Sequence, residues 1–86
     1  MQIERTDRFK RAYKELTKDD QARAQKALRL LAENQRYPSL RVKKIKGAEN
    51  IWEARVSRSI RLTFEMASDV ILLRNIGAHD PTLKNP

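Results

Sequence analysis

Residues 51–66 of the chain, IWEARVSRSIRLTFEM, alternate between apolar and polar side chains on both sides of a short polar turn. One set of apolar residues runs from Trp52 to Val56, and a second runs at every other position from Ile60 to Met66. Because successive side chains of a strand point to opposite faces, this pattern predicts a β-hairpin with its turn at residues 57–59.

The segments around this hairpin predict two helices and two strands before it and one strand after it. Thr6 and Thr17 are each placed to cap a helix, and apolar residues follow them at spacings of three and four. We expect an edge strand at 1–5, helices at 7–16 and 19–34, and strands at 40–45, 52–57, 60–66 and 70–76. The tail from Gly77 to Pro86 is expected to be mostly irregular. The result is an α+β fold with two N-terminal helices on one face of a mainly antiparallel sheet, whose other face is open.

The composition limits the protein to one small basic unit. Its 86 residues leave room for one hydrophobic core, so we expect a single domain over residues 1–86. The excess of 19 Lys and Arg over 11 Asp and Glu gives a formal charge of +8. Such a field attracts nucleic acid, a ribosomal surface, an acidic membrane or an acidic partner protein.

Several classes of protein are excluded by what the chain lacks. There is no cysteine and only one histidine, so disulfides, Cys-based metal sites and His-rich ligand sets are excluded, and we expect no metal and no cofactor. No apolar run reaches the roughly 18 residues of a membrane-spanning helix, and residues 1–5 do not resemble a signal peptide. We therefore expect a soluble cytoplasmic protein without a membrane partner.

The polar face of the predicted hairpin carries groups suited to phosphate chemistry. Antiparallel pairing places Glu53, Arg55, Arg61 and Thr63 on one face. A ribonuclease that works without metal needs a base for the 2′-hydroxyl, cationic donors for the phosphate and an acid for the leaving oxygen. Arginine binds phosphate oxygens in pairs, and His79, the one imidazole, has the side chain suited to proton transfer near neutral pH. The pattern equally fits an ordinary exposed sheet face with a weak Glu53–Arg61 pair.

Four motifs together make the chain resemble the RelE/ParE superfamily of bacterial toxins, in the branch with RelE, YafQ and HigB. They are Pro38–Gly47, Ile51–Val56, Arg61–Phe64 and Leu73–Asp80. The resemblance implies a microbial-RNase-like fold with two N-terminal helices on a curved antiparallel sheet. It also implies cleavage of mRNA on the ribosome and neutralisation by a cognate antitoxin.

The resemblance further implies a set of site residues. The catalytic positions of RelE-like toxins fall at Glu53, Arg55, Arg61 and His79, with Asp80 beside the histidine. Glu53 occupies a position where RelE has a Lys, and it could act as general base or pair with Arg61. The C-terminal Tyr of RelE has no counterpart in this chain. The basic residues expected to hold RNA are Arg41, Lys43, Lys44, Lys46, Arg58 and Arg74.

Two other functions stay open at this stage. A ParE-like inhibitor of DNA gyrase shares the fold and has no consistent need for the Arg and His set. A non-toxic binding module retained with its antitoxin is the third possibility.

Overall fold

A five-stranded sheet forms the centre of the molecule. The computed structural model describes residues 1–86. The strands are β1 (Gln2–Arg5), β2 (Lys43–Lys44), β3 (Trp52–Arg55), β4 (Ile60–Ala67) and β5 (Val70–Ala78), and the helices are α1 (Asp7–Lys14), α2 (Lys18–Glu33) and α3 (His79–Lys84). The strand order is β1-β5-β4-β3-β2, with β1 parallel to β5 and every other pair antiparallel. The predicted α+β class, edge strand and hairpin are confirmed.

The two N-terminal helices begin at the threonines that the sequence marks. The Thr6 hydroxyl oxygen accepts the N–H of Phe9 at 3.1 Å, and that of Thr17 accepts the N–H of Asp20 at 3.1 Å. These bonds satisfy backbone donors that the first turn of a helix leaves unpaired. The Thr6 hydroxyl also donates to the carbonyl of Leu73 at 2.9 Å, so the cap of α1 fixes this helix against β5.

The core lies between these helices and one face of the sheet. Ala24, Ala27, Leu28 and Leu31 form the buried stripe of α2, and their i, i+3, i+4, i+7 spacing is that of one helix face. The sheet and the segments beside it contribute Leu40, Ala54, Ile60, Leu62, Phe64, Ile71, Leu73 and Ile76, and α1 adds Phe9.

The prediction of a strand at 40–45 is wrong for most of that segment. Pro38 begins a single 3-10 turn that ends at Leu40, and Arg41 has a φ of 46°, in the left-handed region. Leu40 is buried in the core and does not take part in a ladder. Proline has a fixed φ suited to a turn, and the left-handed residue then reverses the chain, so only Lys43–Lys44 pair with β3.

The predictions of an irregular tail and of an open sheet face are also wrong. Residues 79–84 form α3, which packs on β4 and β5 from the side opposite α1 and α2. Thr63, on the polar face of the hairpin, is fully buried, and its hydroxyl donates to the main-chain oxygen of Pro86 at 3.0 Å. The tail therefore covers part of the face that the alternation predicts to be exposed.

A glycine makes this cover possible. A Cβ at Gly77 would lie 2.9 Å from the Thr82 hydroxyl oxygen, closer than real side chains approach. Gly77 lies opposite Arg61 on β4, so α3 approaches the sheet close to this arginine. None of the three helices is long and apolar enough to cross a membrane.

Candidate functional site

Two arginines meet at the turn end of the hairpin. Arg55 on β3 lies directly opposite Arg61 on β4. The Nη1 of Arg61 donates to the carbonyl of Ser57 at 2.7 Å, and the Nε of Arg55 points to the same oxygen at 3.4 Å. One backbone carbonyl thus holds two guanidinium groups on the same face of the sheet.

The electrostatics of this pair are unfavourable without an anion. Partial burial lowers the pKa of Arg61, the positive charges of Arg55 and Arg41 lower it further, and the negative charge of Glu53 raises it. Like charges directly opposite each other destabilise a sheet. A phosphate entering between them would replace this repulsion with charge-assisted hydrogen bonds.

Glu53 lies within this positive field and forms no ion pair. It is 8% exposed and lies between Thr63 on β4 and Lys43 on β2 in the register. The three ion pairs of the protein, at 4.0 Å or less, involve other residues, so the expected alternative of a Glu53–Arg61 pair is not formed. The carboxylate keeps its acceptor oxygens for other groups.

His79 follows β5 at the same end of the sheet. Its backbone N–H donates to the carbonyl of Ser59 in the hairpin turn at 2.9 Å, and the preceding Ala78 pairs with Ile60. The Nδ1 of His79 is 2.8 Å from Oδ1 of Asp80, and the imidazole is half exposed. A hydrogen bond from His79, and then its charge, lower the pKa of Asp80. When Nδ1 donates to this carboxylate, Nε2 is the nitrogen left for proton exchange with a ligand.

Comparison with known proteins gives a consistent result for the fold. No protein-family model matches the chain, and no curated protein matches it. Among solved structures, a copper-bound variant of a Helicobacter pylori toxin matches with a TM-score of 0.80 and 15% identity, covering 94% of this chain and 97% of that one. YafQ from E. coli matches with a TM-score of 0.79 and 15% identity, covering 92% and 93% of the two chains.

A third match comes from the intact E. coli RelBE toxin–antitoxin complex, with a TM-score of 0.73, 16% identity and coverage of 92% and 96%. This chain has the RelE/YafQ toxin fold. The resemblance found in the sequence is therefore confirmed at the level of the fold, over nearly the whole of each chain.

Two of the basic residues expected to bind RNA lie near Glu53 or the arginine pair of this RelE/YafQ fold. Arg41 is exposed, and its charge acts on Arg61. Lys43 is exposed and lies opposite Glu53, on the same face. These two residues extend the positive surface across the edge of the sheet.

The other four are placed differently. Lys44 lies opposite Trp52, so it shares the other face of the sheet, and together with Lys46 it lines a shallow surface depression around Gly47. Arg58 is exposed in the hairpin turn. Arg74 forms an ion pair with Glu65, and its Nε donates to the main-chain oxygen of Pro86 at 3.1 Å, so it fastens the tail onto the sheet.

Sequence reasoning missed the groups that organise the site. The Ser57 carbonyl that collects both arginines is a backbone atom, which leaves no signal in residue types. Gly77 and Thr82, which let α3 approach the site, carry a partial signal, because a glycine inside a strand often marks close approach of another segment. No group of three or more His, Cys, Asp or Glu lies together in a way that could hold a metal ion.

Proposed function

We propose that this chain is the toxin of a type II toxin–antitoxin module and cleaves mRNA as a metal-independent endoribonuclease. Residues 1–86 form the one toxin domain. It acts in the cytoplasm, on mRNA held by the ribosome, and needs no cofactor. The observation that carries this proposal is the convergence of Arg55 and Arg61 on the Ser57 carbonyl. This geometry holds two positive charges close together, and a bound anion would relieve their mutual repulsion.

Arg55 and Arg61 bind the scissile phosphate in this proposal. Each guanidinium keeps further N–H donors beyond the one that reaches Ser57, and these donors suit the oxygens of a phosphodiester. Charge builds on those oxygens as the phosphorus becomes five-coordinate. Fixed cationic donors stabilise that state more than the starting linkage, which is how they would accelerate cleavage.

Glu53 and His79 carry the protons. The Glu53 carboxylate accepts the proton of the ribose 2′-hydroxyl, whose oxygen then bonds to phosphorus as the bond to the 5′-oxygen breaks. The His79 imidazolium donates a proton to that leaving oxygen from Nε2, and Asp80 holds its Nδ1–H. The products are a 2′,3′-cyclic phosphate and a free 5′-hydroxyl. We assign the base to Glu53 because it has no ion-pair partner.

The remaining basic residues hold the RNA backbone. Arg41 and Lys43 adjoin the scissile position, whereas Lys44, Lys46 and Arg58 contact phosphates farther along the strand or on the ribosome. Arg74 contributes when its contact with the tail opens. Such contacts position a nucleic acid without reading its sequence.

An acidic antitoxin segment is the expected protein partner. The structural neighbours include the DinJ–YafQ complex from E. coli and a RelB–RelE complex from Methanococcus jannaschii, both antitoxin–toxin pairs. A net charge of +8 favours an acidic partner, which would neutralise the surface and block the site in the same contact.

The test is cleavage of mRNA in a purified translation system, with growth arrest measured after induction in cells. We expect the wild-type chain to cut mRNA and arrest growth, and the Arg61→Ala, His79→Ala double variant to do neither. Arg29→Ala, an exposed arginine of α2, is the matched control and should behave as wild type. Equal cleavage by the double variant would contradict the site. Inhibition of DNA supercoiling by gyrase without RNA cleavage would favour the ParE-like alternative.

A further inference from the structure

A concave surface lies on the helix side of the sheet, between the connection after α2 and β3. It is a cavity of about 390 Å³, within the range of roughly 300–1,000 Å³ typical of small-ligand sites. Its walls include Tyr37 and Arg41 from the connection and Trp52 from β3. Trp52 points to the helix side of the sheet, opposite to Glu53, so this cavity is separate from the site of the proposed chemistry.

Aromatic side chains form two of its walls. Trp52 is only partly buried although it packs against the core, and Tyr37 is 37% exposed. The Tyr37 hydroxyl donates to Oε2 of Glu33 at 3.3 Å, which restrains the ring at the mouth of the cavity. Aromatic faces of this kind are the surfaces on which unpaired nucleobases stack.

Arginines frame the same cavity and connect it to the phosphate site. Arg36 and Arg41 both line it, both are exposed, and neither belongs to one of the ion pairs. Arg41 is also close enough to Arg61 for its charge to act there. Arg41 is therefore the residue that lines the aromatic cavity and also contributes positive charge at the arginine pair.

The cavity lining also contains unpaired polar groups. Trp52 Nε1 is a buried donor and Gln35 Oε1 a buried acceptor, and neither has a hydrogen-bond partner in the protein. Both residues line this cavity. Both atoms are inaccessible to solvent, so a base edge would pair with them only after both side chains shift toward the ligand.

We propose that this cavity, walled by Trp52 and Tyr37 and framed by Arg36 and Arg41, binds a nucleobase of single-stranded RNA next to the scissile linkage. The inference rests on the proposed function, because the arginine pair must hold the neighbouring phosphate. The cavity is then a specificity site, since it selects which nucleotide lies beside the cut.

Trp52 is the only tryptophan, so its fluorescence reports on the cavity directly. The probe is a short single-stranded 2′-O-methyl RNA, which cannot be cleaved because it lacks the attacking hydroxyl. We expect saturable quenching by this RNA. An otherwise identical RNA with an abasic position beside the central linkage should quench far less. Cleavage of unmodified mRNA is measured in parallel.

Tyr37→Ala and Arg36→Ala are the variants of choice, because both side chains are exposed and their loss leaves the core intact. Each should raise the dissociation constant about tenfold, the scale of one lost base–aromatic stack or phosphate contact. Arg29→Ala should leave it unchanged. The Arg61→Ala variant should bind this RNA more weakly and cleave mRNA far less, but the quenching that remains should still depend on the base.

The outcomes separate the two proposals. Cleavage without base-dependent quenching contradicts the proposal that the cavity binds a nucleobase, and it leaves the proposed ribonuclease activity supported. Base-dependent quenching without cleavage supports the cavity and contradicts the nuclease. The cavity is not a base-binding site if intact and abasic RNA quench the fluorescence equally. The same conclusion follows if an acidic peptide quenches the fluorescence and RNA does not.

Discussion

Arg55 and Arg61 lie opposite each other on neighbouring strands, and both side chains reach the carbonyl oxygen of Ser57. This geometry brings two like charges together at the end of the hairpin. Their repulsion is tolerated because one backbone acceptor holds both groups in place. The pair supports the proposed phosphate site, and it leads to the first of five predictions.

Arg61→Ala should reduce RNA cleavage by about 100-fold or more, because one preorganised donor to the developing charge is removed. The free energy of unfolding should change by less than about 1 kcal/mol, since lost hydrogen bonds to the turn are offset by the relief of repulsion. Arg61→Lys should recover only part of the activity, because lysine keeps the charge and loses the planar fork. Cleavage kinetics and urea denaturation measure both effects, and a large loss of stability in Arg61→Ala would refute the repulsion argument.

Glu53→Gln should reduce cleavage by about 100-fold to 10,000-fold, the usual contribution of a general base. The substitution keeps the shape of a side chain that is 8% exposed and removes a negative charge from the positive surface. Binding of 2′-O-methyl RNA should therefore stay the same or become tighter. Measuring binding and cleavage on one preparation separates the two effects, and weaker binding with normal turnover would assign Glu53 a purely structural role.

His79→Ala should raise the pKa of Asp80 toward the ordinary value of about 3.9, because a hydrogen bond from His79 is the main cause of its depression. A carboxyl whose pKa is lowered in the folded state stabilises the fold above its unfolded pKa. That stabilisation is lost as the pH falls through the lower folded pKa.

The wild-type protein should therefore have a higher Tm than His79→Ala above pH about 4, and the difference should shrink at more acidic pH. NMR titration of the Asp80 carboxyl carbon, with Asp69 as an internal reference, measures the pKa itself. An unchanged Asp80 titration in His79→Ala would show that the two side chains do not interact in solution.

Gly77→Ala should destabilise the protein by about 1–3 kcal/mol, because its Cβ would lie 2.9 Å from the Thr82 hydroxyl and displace α3. Thr82→Ala removes the obstructing atom, so the double variant should be more stable than the sum of the two single effects predicts. Thr82→Ser keeps the hydroxyl and serves as the control that gives no such recovery. Chemical denaturation of the four proteins gives the coupling energy, and strict additivity would mean that α3 does not pack here.

Thr6→Ala should cost more stability than Thr17→Ala, although both residues cap a helix. Each loses a bond from the first turn, worth about 1 kcal/mol. Thr6 also loses its donation to the Leu73 carbonyl, a part-buried contact that fixes α1 to β5. We expect a further loss of about 1 kcal/mol there. Thermal unfolding of the two variants under one condition provides the comparison, and equal losses would mean that the bond to Leu73 contributes nothing.

Local patterns predicted the elements whose signals lie within a few residues of each other. The alternation in residues 51–66 and the two threonine caps led to the hairpin and to α1 and α2, and the structure confirms all three. The same reasoning placed Arg55 and Arg61 on one face, because strand parity is a local property. It failed at 40–45, where apolar residues at Leu40, Val42 and Ile45 suggested a strand, but Leu40 ends a 3-10 turn and Arg41 is left-handed.

By itself, the sequence determined the α+β class, the hairpin register and the excess of positive charge, since each follows from residue type and short-range spacing. Only the tertiary structure decided that α3 covers part of the polar face and that the Ser57 carbonyl collects both guanidinium groups. A six-residue helix has too little periodicity to be recognised, and backbone acceptors have no residue-type signal. The surroundings of the candidate site therefore arise from long-range packing, which local patterns do not contain.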